Sequence, residues 1–114
     1  MNVSFQGFDK QLATFEAAST VKPGVPVKMS ANGQVTLCGA ADVPCGVAVQ
    51  VRDGYASVQL RGYVRMTYTG SLSLGRQLIV ADSGGKIKAS ANTSGISVLV
   101  TDLDSSTSTA GIIL

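Results

Sequence analysis

From Val25 onward the sequence consists of short runs in which apolar and polar residues alternate, separated by glycine-containing turns. The segment Val47–Val51, for example, carries valine at every second position. Alternation with a period of two is typical of a β-strand with one buried face. Asn32-Gly33 and Asp53-Gly54 lie between such runs and are strong two-residue hairpin signals. Because no helical pattern follows residue 20, the sequence predicts an all-β, mainly antiparallel fold of about nine short strands.

Two residues mark special positions in these strands. Pro26 has no backbone N–H group to donate, so its strand is expected at a sheet edge. Gly62 interrupts the alternation before Tyr63, which indicates a bulge or a sharp bend. The phase of the alternation then predicts the buried core residues Val47, Val49, Val58, Leu60, Leu78, Val98 and Ile112.

The order of glycines and apolar runs recurs in the two halves of the chain. Three glycines of the first half have counterparts 51, 52 and 49 residues later, in the pairs Gly24 and Gly75, Gly33 and Gly85, Gly46 and Gly95. This recurrence indicates one four-strand unit used twice. Since each unit alone would leave an apolar face exposed, we expect the two to pack together as a single small β-barrel or a sandwich.

The N-terminal segment has a different composition. It contains all three phenylalanines, Phe5, Phe8 and Phe15, which together with Leu12 have the spacing of one helical face. The predicted division is therefore an N-terminal arm or short amphipathic helix over 1–20 and a β-barrel domain over 21–114. Two interpretations stay open: a helix that caps the barrel of its own chain, or an arm that docks on a partner through Phe5, Phe8, Leu12 and Phe15.

The residue content argues against catalysis. Histidine, the commonest general base and metal ligand, is missing from the sequence, and three of the six aspartates lie directly beside Gly or Ser, as turn residues do. We therefore expect no enzyme activity, no metal and no cofactor. No apolar run approaches the roughly 18 residues of a membrane span, and the N-terminus lacks the pattern of a secretion signal. The chain is expected to be made in a cytoplasm and to have no membrane partner.

Cys38 and Cys45 flank a short loop. A disulfide between them is conceivable if their strands are neighbours. In a protein made in a reducing cytoplasm, two small buried thiols are favoured over a disulfide.

The order of several motifs resembles the small bacteriophage head decoration, or capsid cement, proteins. The matching segments are Gly24-Val25-Pro26-Val27, Gly33-Gln34-Val35, Pro44-Cys45-Gly46-Val47-Ala48, the stretch from Gly54 to Val64, Gly75 and Gly95-Ile96. The resemblance covers roughly residues 20–114 and implies a β-barrel on the outside of an icosahedral head. It further implies a homotrimer at local threefold positions that clamps neighbouring subunits of the major capsid protein, and hence a virion location.

Two other functions remain as alternatives. A glycan-binding or tail-associated β module would expose aromatic residues on its loops, and Tyr55 beside the Asp53-Gly54 turn is the one candidate. A barrel that binds single-stranded nucleic acid would combine basic and aromatic side chains, here Arg52, Arg61, Arg65 and Arg76 with Tyr55, Tyr63 and Tyr68. The formal net charge of +2 is too small to make nucleic acid the main expected partner.

Overall fold

The structure is a computed structural model that describes residues 10–114, and these residues form ten β-strands without a helix. The all-β prediction is confirmed. The strands of the first half are β1 (Gln11–Ala17), β2 (Pro26–Ala31), β3 (Gln34–Leu37), β4 (Gly46–Arg52) and β5 (Tyr55–Arg61). Those of the second half are β6 (Tyr63–Thr67), β7 (Gly75–Asp82), β8 (Lys86–Ala89), β9 (Ile96–Asp104) and β10 (Thr109–Ile113).

The first five strands form a closed barrel in the order β1-β3-β2-β4-β5. Its hairpins are antiparallel, and the barrel closes where β1 runs parallel to β3, with Glu16 opposite Gln34 and Ala17 opposite Val35. Short alternating strands with valine on one face allow this closure, because the inward residues are small enough to fill a narrow interior. The barrel core consists of Val21, Val27, Val35, Ala48, Ala56 and Val58.

The last five strands form a second sheet in the order β6-β10-β9-β7-β8. Its two outer strands approach one another: Tyr68, just after β6, makes a parallel bridge with Ile87 of β8. The Thr69 N–H group donates to the Ile87 carbonyl at 2.9 Å. The core of this sheet contains Met66, Leu72, Ile79, Ile87, Val98, Val100, Ala110 and Ile112, and Val47 of the barrel packs into it. Val47 therefore joins the two halves.

The two halves repeat the same topology, which confirms the predicted internal repeat. Strands β2 to β5 are joined in the order β3-β2-β4-β5, and β7 to β10 in the order β8-β7-β9-β10. The repeated unit has five strands rather than four, since β1 pairs with β5 as β6 pairs with β10. Even a bulge recurs: Val49 is skipped in the β4–β5 register, and Thr101 is skipped in the β9–β10 register.

Bulges explain where the predicted core is wrong. Val49 is 37% exposed and Leu60 is 38% exposed, whereas both were predicted to be buried. Val49 is the extra residue between Ala48 and Gln50, and Leu60 is the residue skipped in the β1–β5 register. Because a bulge shifts the alternation by one residue, side chains beyond it change faces. Of the other predicted core residues, Leu78 is half-buried and the remaining four are buried.

The predicted edge position of Pro26 is also wrong. Strand β2 lies between β3 and β4, with Pro26 opposite Val47. Proline is tolerated there because it is the first residue of the strand. Its carbonyl still accepts a hydrogen bond from the Cys38 N–H group at 3.1 Å.

The three predicted turn features are confirmed, and Asn32-Gly33 connects β2 to β3 as a hairpin. Asp53 and Gly54 have φ values of 53° and 80° and connect β4 to β5, as expected for a hairpin turn with two left-handed residues. Gly62 has a φ of 107° and lies between β5 and β6, where the chain leaves the barrel for the second sheet. A side chain would strain this bend.

The prediction of an N-terminal helix is wrong for residues 11–17, which form β1 and pair with β5. The predicted boundary at residue 20 therefore places one barrel strand outside the barrel. In a strand, residues three apart face opposite sides. Leu12 accordingly is 54% exposed, whereas Phe15 packs against the barrel core. The predicted role of the whole 1–9 segment lies outside the described residues.

Candidate interaction surface

A shallow groove of about 220 Å³ lies on the outer face of the barrel, across strands β1, β5 and β4. It is called the β4–β5 groove below, and its lining consists of Thr14, Gln50, Arg52, Tyr55, Ala56 and Ser57. The polar side chains come from alternate positions of three adjacent strands. They supply hydroxyl, amide, phenol and guanidinium groups, which suit hydrogen bonding to a partner.

The bulge at Val49 creates this arrangement. Ala48 lies opposite Val58, and both are buried in the barrel core. Because Val49 is skipped, Gln50 rather than Val49 lies opposite Ser57. A regular strand would place Gln50 and Arg52 on the inner face, so the extra residue moves both to the outside.

Arg52 and Tyr55 are two highly exposed groups of the groove. They lie opposite one another in the β4–β5 register. The Arg52 side chain is 81% exposed, and its Nε lies 3.8 Å from an Asp53 carboxylate oxygen that is itself highly exposed. Such a long, solvated contact contributes little and holds the guanidinium weakly. Tyr55 is 51% exposed. Both groups are therefore accessible to a partner.

The corresponding face of the second sheet carries a tight polar cluster. The Arg65 guanidinium donates to Asp102 at 2.6 Å and to the Thr109 hydroxyl at 3.1 Å. The Thr101 hydroxyl donates to the other Asp102 oxygen at 2.8 Å. Arg65, followed by Thr101, lowers the pKa of Asp102, and Asp102 in turn raises the pKa of Arg65. The cluster is satisfied within the chain.

Gly111 leaves the space that this cluster occupies. A β-carbon at this position would meet Asp102 Oδ1, and it would lie 2.5 Å from the Tyr63 hydroxyl and 2.9 Å from Thr101 Oγ1. A side chain at position 111 would therefore displace the ion pair.

A second, larger cleft of about 480 Å³ lies where the barrel meets the β7–β8 turn. Its lining is partly apolar and consists of Ser19, Thr20, Lys22, Val25, Leu37, Gly84 and Gly85. A β-carbon on Gly85 would lie 2.7 Å from Val25 Cγ1. Glycine at this turn thus lets the second sheet approach the barrel closely.

The residues predicted to contact a partner do not form one helical surface. Leu12 is exposed beside the β4–β5 groove on β1, and the half-buried Phe15 packs against the barrel core. Phe5 and Phe8 lie outside the described residues. The arginines and tyrosines considered for nucleic-acid binding are divided between the two halves, with Arg52 and Tyr55 on the barrel and Arg65 on the second sheet.

The two cysteines are free. Cys38 is buried, as predicted, and burial raises its pKa to about 12. Cys45 is exposed, which contradicts the predicted second buried thiol. It follows a loop whose Asp42 carboxylate accepts hydrogen bonds from Lys28 Nζ at 2.6 Å and from the Gly39 N–H group at 2.8 Å.

Within residues 10–114, no three His, Cys, Asp or Glu side chains are grouped so that they could hold a metal ion. The same part of the chain contains no helix long and apolar enough to cross a membrane. Nor does it bury a side-chain nitrogen or oxygen that lacks a hydrogen-bond partner.

Comparison with known proteins gives similarity at the level of structure. No protein-family model and no curated protein sequence matches the chain. The N-terminal base of the head fibre gp8.5 of bacteriophage phi29 superimposes with a TM-score of 0.65 and 12% sequence identity, over 93% of this chain and 94% of that chain. A chain from the capsid of Myoviridae phage XM1 superimposes with a TM-score of 0.69 and 16% identity, over 95% of this chain and 84% of that chain. The chain has the fold of these two phage head proteins.

The sequence pointed to only part of the β4–β5 groove. Tyr55 was recognisable as an aromatic residue beside a tight turn, and Arg52 as a member of the basic set. Thr14 was hidden in a segment interpreted as a helix. Gln50 and Ser57 were missed because their outward position depends on the bulge at Val49.

Proposed function

We propose that the chain is a structural virion protein, a capsid decoration or cement protein that binds the outer surface of the major capsid protein lattice and stabilises the head. The observation that carries this proposal is the match to two phage head proteins over nearly the whole chain. Because the shared fold spans more than nine-tenths of the chain, the proposed function is assigned to the fold as a whole.

The physical properties of the chain support this role. A cement protein needs a rigid body with an accessible surface, because its task is to hold neighbouring subunits together. Short strands, tight turns and two linked cores provide the rigid body. The accessible surface is provided by the β4–β5 groove and by the exposed Leu12 beside it.

The N-terminal residues are proposed to strengthen the attachment. Phe5 and Phe8 precede β1, whose Leu12 is exposed on the barrel. We expect the double variant Phe5→Ala with Phe8→Ala to keep the melting temperature of the wild type and to bind heads more weakly. Phe15→Ala is the matched control, because Phe15 packs in the barrel core and its loss should lower the melting temperature instead. A double variant that melts earlier but binds heads normally would assign Phe5 and Phe8 to the barrel.

A homotrimer on the head is the proposed assembly. Pro26 no longer supports it, since β2 lies inside the sheet. Its support comes from the far end of β2, which pairs with β4 only at Pro26 and Val27 and leaves Met29 46% exposed. Exposed strand ends of this kind favour association in a closed, symmetric assembly. Native mass spectrometry that shows only monomers, together with isolated single copies on heads, would contradict the trimer.

The function is tested by mixing the purified protein with undecorated heads of the phage that encodes it. We expect co-sedimentation that saturates at a fixed number of copies per capsid subunit. A protein that stays in the supernatant at every concentration would contradict the proposed function.

A further inference from the structure

The internal repeat provides a reference for interpreting the β4–β5 groove. The shared bulge aligns the two outer faces residue by residue. Thr14 and Gln50 both lie opposite Ser57 in the barrel, and Arg65 and Asp102 both lie opposite Gly111 in the second sheet. Further along the same strands, Arg52 and Asp104 are equivalent, at the ends of β4 and β9, opposite Tyr55 and Thr109.

The space on the outer face above Gly111 is filled by a side chain in the second sheet, whereas the equivalent space above Ser57 in the barrel is open. In the second sheet Arg65 crosses the face and is held by Asp102 at 2.6 Å. In the barrel the equivalent residue is the short Thr14, and the space above Ser57 is the groove. The charge is also reversed, because the two carboxylates of the second sheet are replaced by the neutral Gln50 and the cationic Arg52.

We propose that the β4–β5 groove is a contact site for an acidic side chain, Asp or Glu, of the major capsid protein. This inference rests on the proposed function. In this contact Arg52 would pair with a carboxylate of the capsid protein, just as Arg65 pairs with Asp102 within the second sheet. An arginine guanidinium matches a carboxylate through two parallel hydrogen bonds. Arg52 is free to turn toward a partner because its contact with Asp53 is long and solvated.

The surroundings of Arg52 fit a protein partner better than a small molecule. The groove volume of about 220 Å³ accommodates a single side chain, whereas ligand pockets usually measure about 300 to 1,000 Å³. Tyrosine and arginine are the residue types that dominate the energetics of protein interfaces. Leu12, two residues before Thr14 on β1, is 54% exposed and adds the apolar contact that such interfaces combine with polar groups.

The test uses a matched pair of charge reversals, Arg52→Glu and Arg76→Glu. Arg76 is also exposed but lies on β7 of the second sheet, away from the groove. Affinity for undecorated heads is measured by co-sedimentation, and folding is checked by thermal melting. We expect Arg52→Glu to weaken binding by about tenfold or more and Arg76→Glu to leave it within about twofold, as is usual for a charge outside an interface. Arg52→Lys should fall between Arg52→Glu and the wild type, since it keeps the charge but loses the paired hydrogen bonds.

The outcomes separate this inference from the proposed function. If the wild-type protein does not bind heads, the proposed function fails and the inference fails with it. If the wild type binds and both reversals bind equally well, only the inference is overturned. The wild type and Tyr55→Ala are also compared on a glycan array. If only the wild type binds an oligosaccharide while both proteins decorate heads equally, the groove is a sugar site and the inference is overturned. Should Arg52→Glu melt early, Arg52→Ala replaces it in the same comparison.

Discussion

The phase of strand β4 can be tested with two adjacent substitutions, because unbroken alternation from Val47 would bury Val49 and expose Ala48, whereas the structure does the reverse. Ala48 is 0% exposed and lies in the barrel core, whereas Val49 is 37% exposed. In Ala48→Asp, an unpaired carboxylate enters the core at a cost of several kcal/mol. This cost is comparable to the whole stability of a small domain, about 5 to 15 kcal/mol. We therefore expect Ala48→Asp to be insoluble or unfolded.

Val49→Asp should be far milder. Burying a whole valine side chain contributes about 1.5 to 3 kcal/mol, and Val49 is only partly buried, so the loss is about 1 to 2 kcal/mol. For a chain of this size that lowers the melting temperature by roughly 5 to 15 °C. Soluble yield and thermal melting followed by circular dichroism measure both variants. A folded Ala48→Asp beside an unfolded Val49→Asp would refute this phase.

Three further predictions concern single sites. Arg65 lowers the pKa of Asp102 below its ordinary value of 3.8, so the stability contributed by this ion pair is fully present above pH 3.8 and is lost as pH falls through the lowered pKa. Thermal melts should therefore show that Asp102→Asn loses less stability on acidification than the wild type does. Cys45 should react with iodoacetamide in the native protein while the buried Cys38 reacts only in denaturant; mass spectrometry showing two labels on native protein would contradict this. Gly46→Ala should lower stability by about 1 to 3 kcal/mol in urea unfolding, because its β-carbon would lie 2.5 Å from a backbone carbonyl oxygen of β5; an unchanged midpoint would refute that close approach.

The strands and turns could be predicted from the sequence because they depend on local patterns. Alternation identified the strands, and the Asp53-Gly54 dipeptide identified the β4–β5 hairpin. The repeated order of glycines identified the duplication. These signals are local, and at these positions the structure agrees with them.

The N-terminal strand was misinterpreted because two periods compete in one segment. Phe8, Leu12 and Phe15 fit a helical face, whereas Ala13, Phe15 and Ala17 alternate as a strand. Pairing with β5 decides for the strand, and this tertiary contact outweighs local preference. The bulges at Val49 and Leu60 were not predictable for a related reason. A bulge is a property of the register between two strands, and the sequence of one strand does not determine that register.

The same limit applies to the candidate surface. Tyr55 could be identified from its exposed turn, but the groove around it depends on which residues the bulge turns outward. Gln50 and Ser57 enter the groove only through the observed β4–β5 register. Strand register therefore determined how much of the site the sequence could show.

The most direct test of the proposed function is a cryo-electron microscopy difference map between heads with and without this protein. We predict density for a two-part β-structure on the outer surface of the head, in contact with the major capsid protein through the barrel face that carries Arg52 and Tyr55. Heads whose maps are identical with and without the protein, or density confined to the tail or the head interior, would contradict the account.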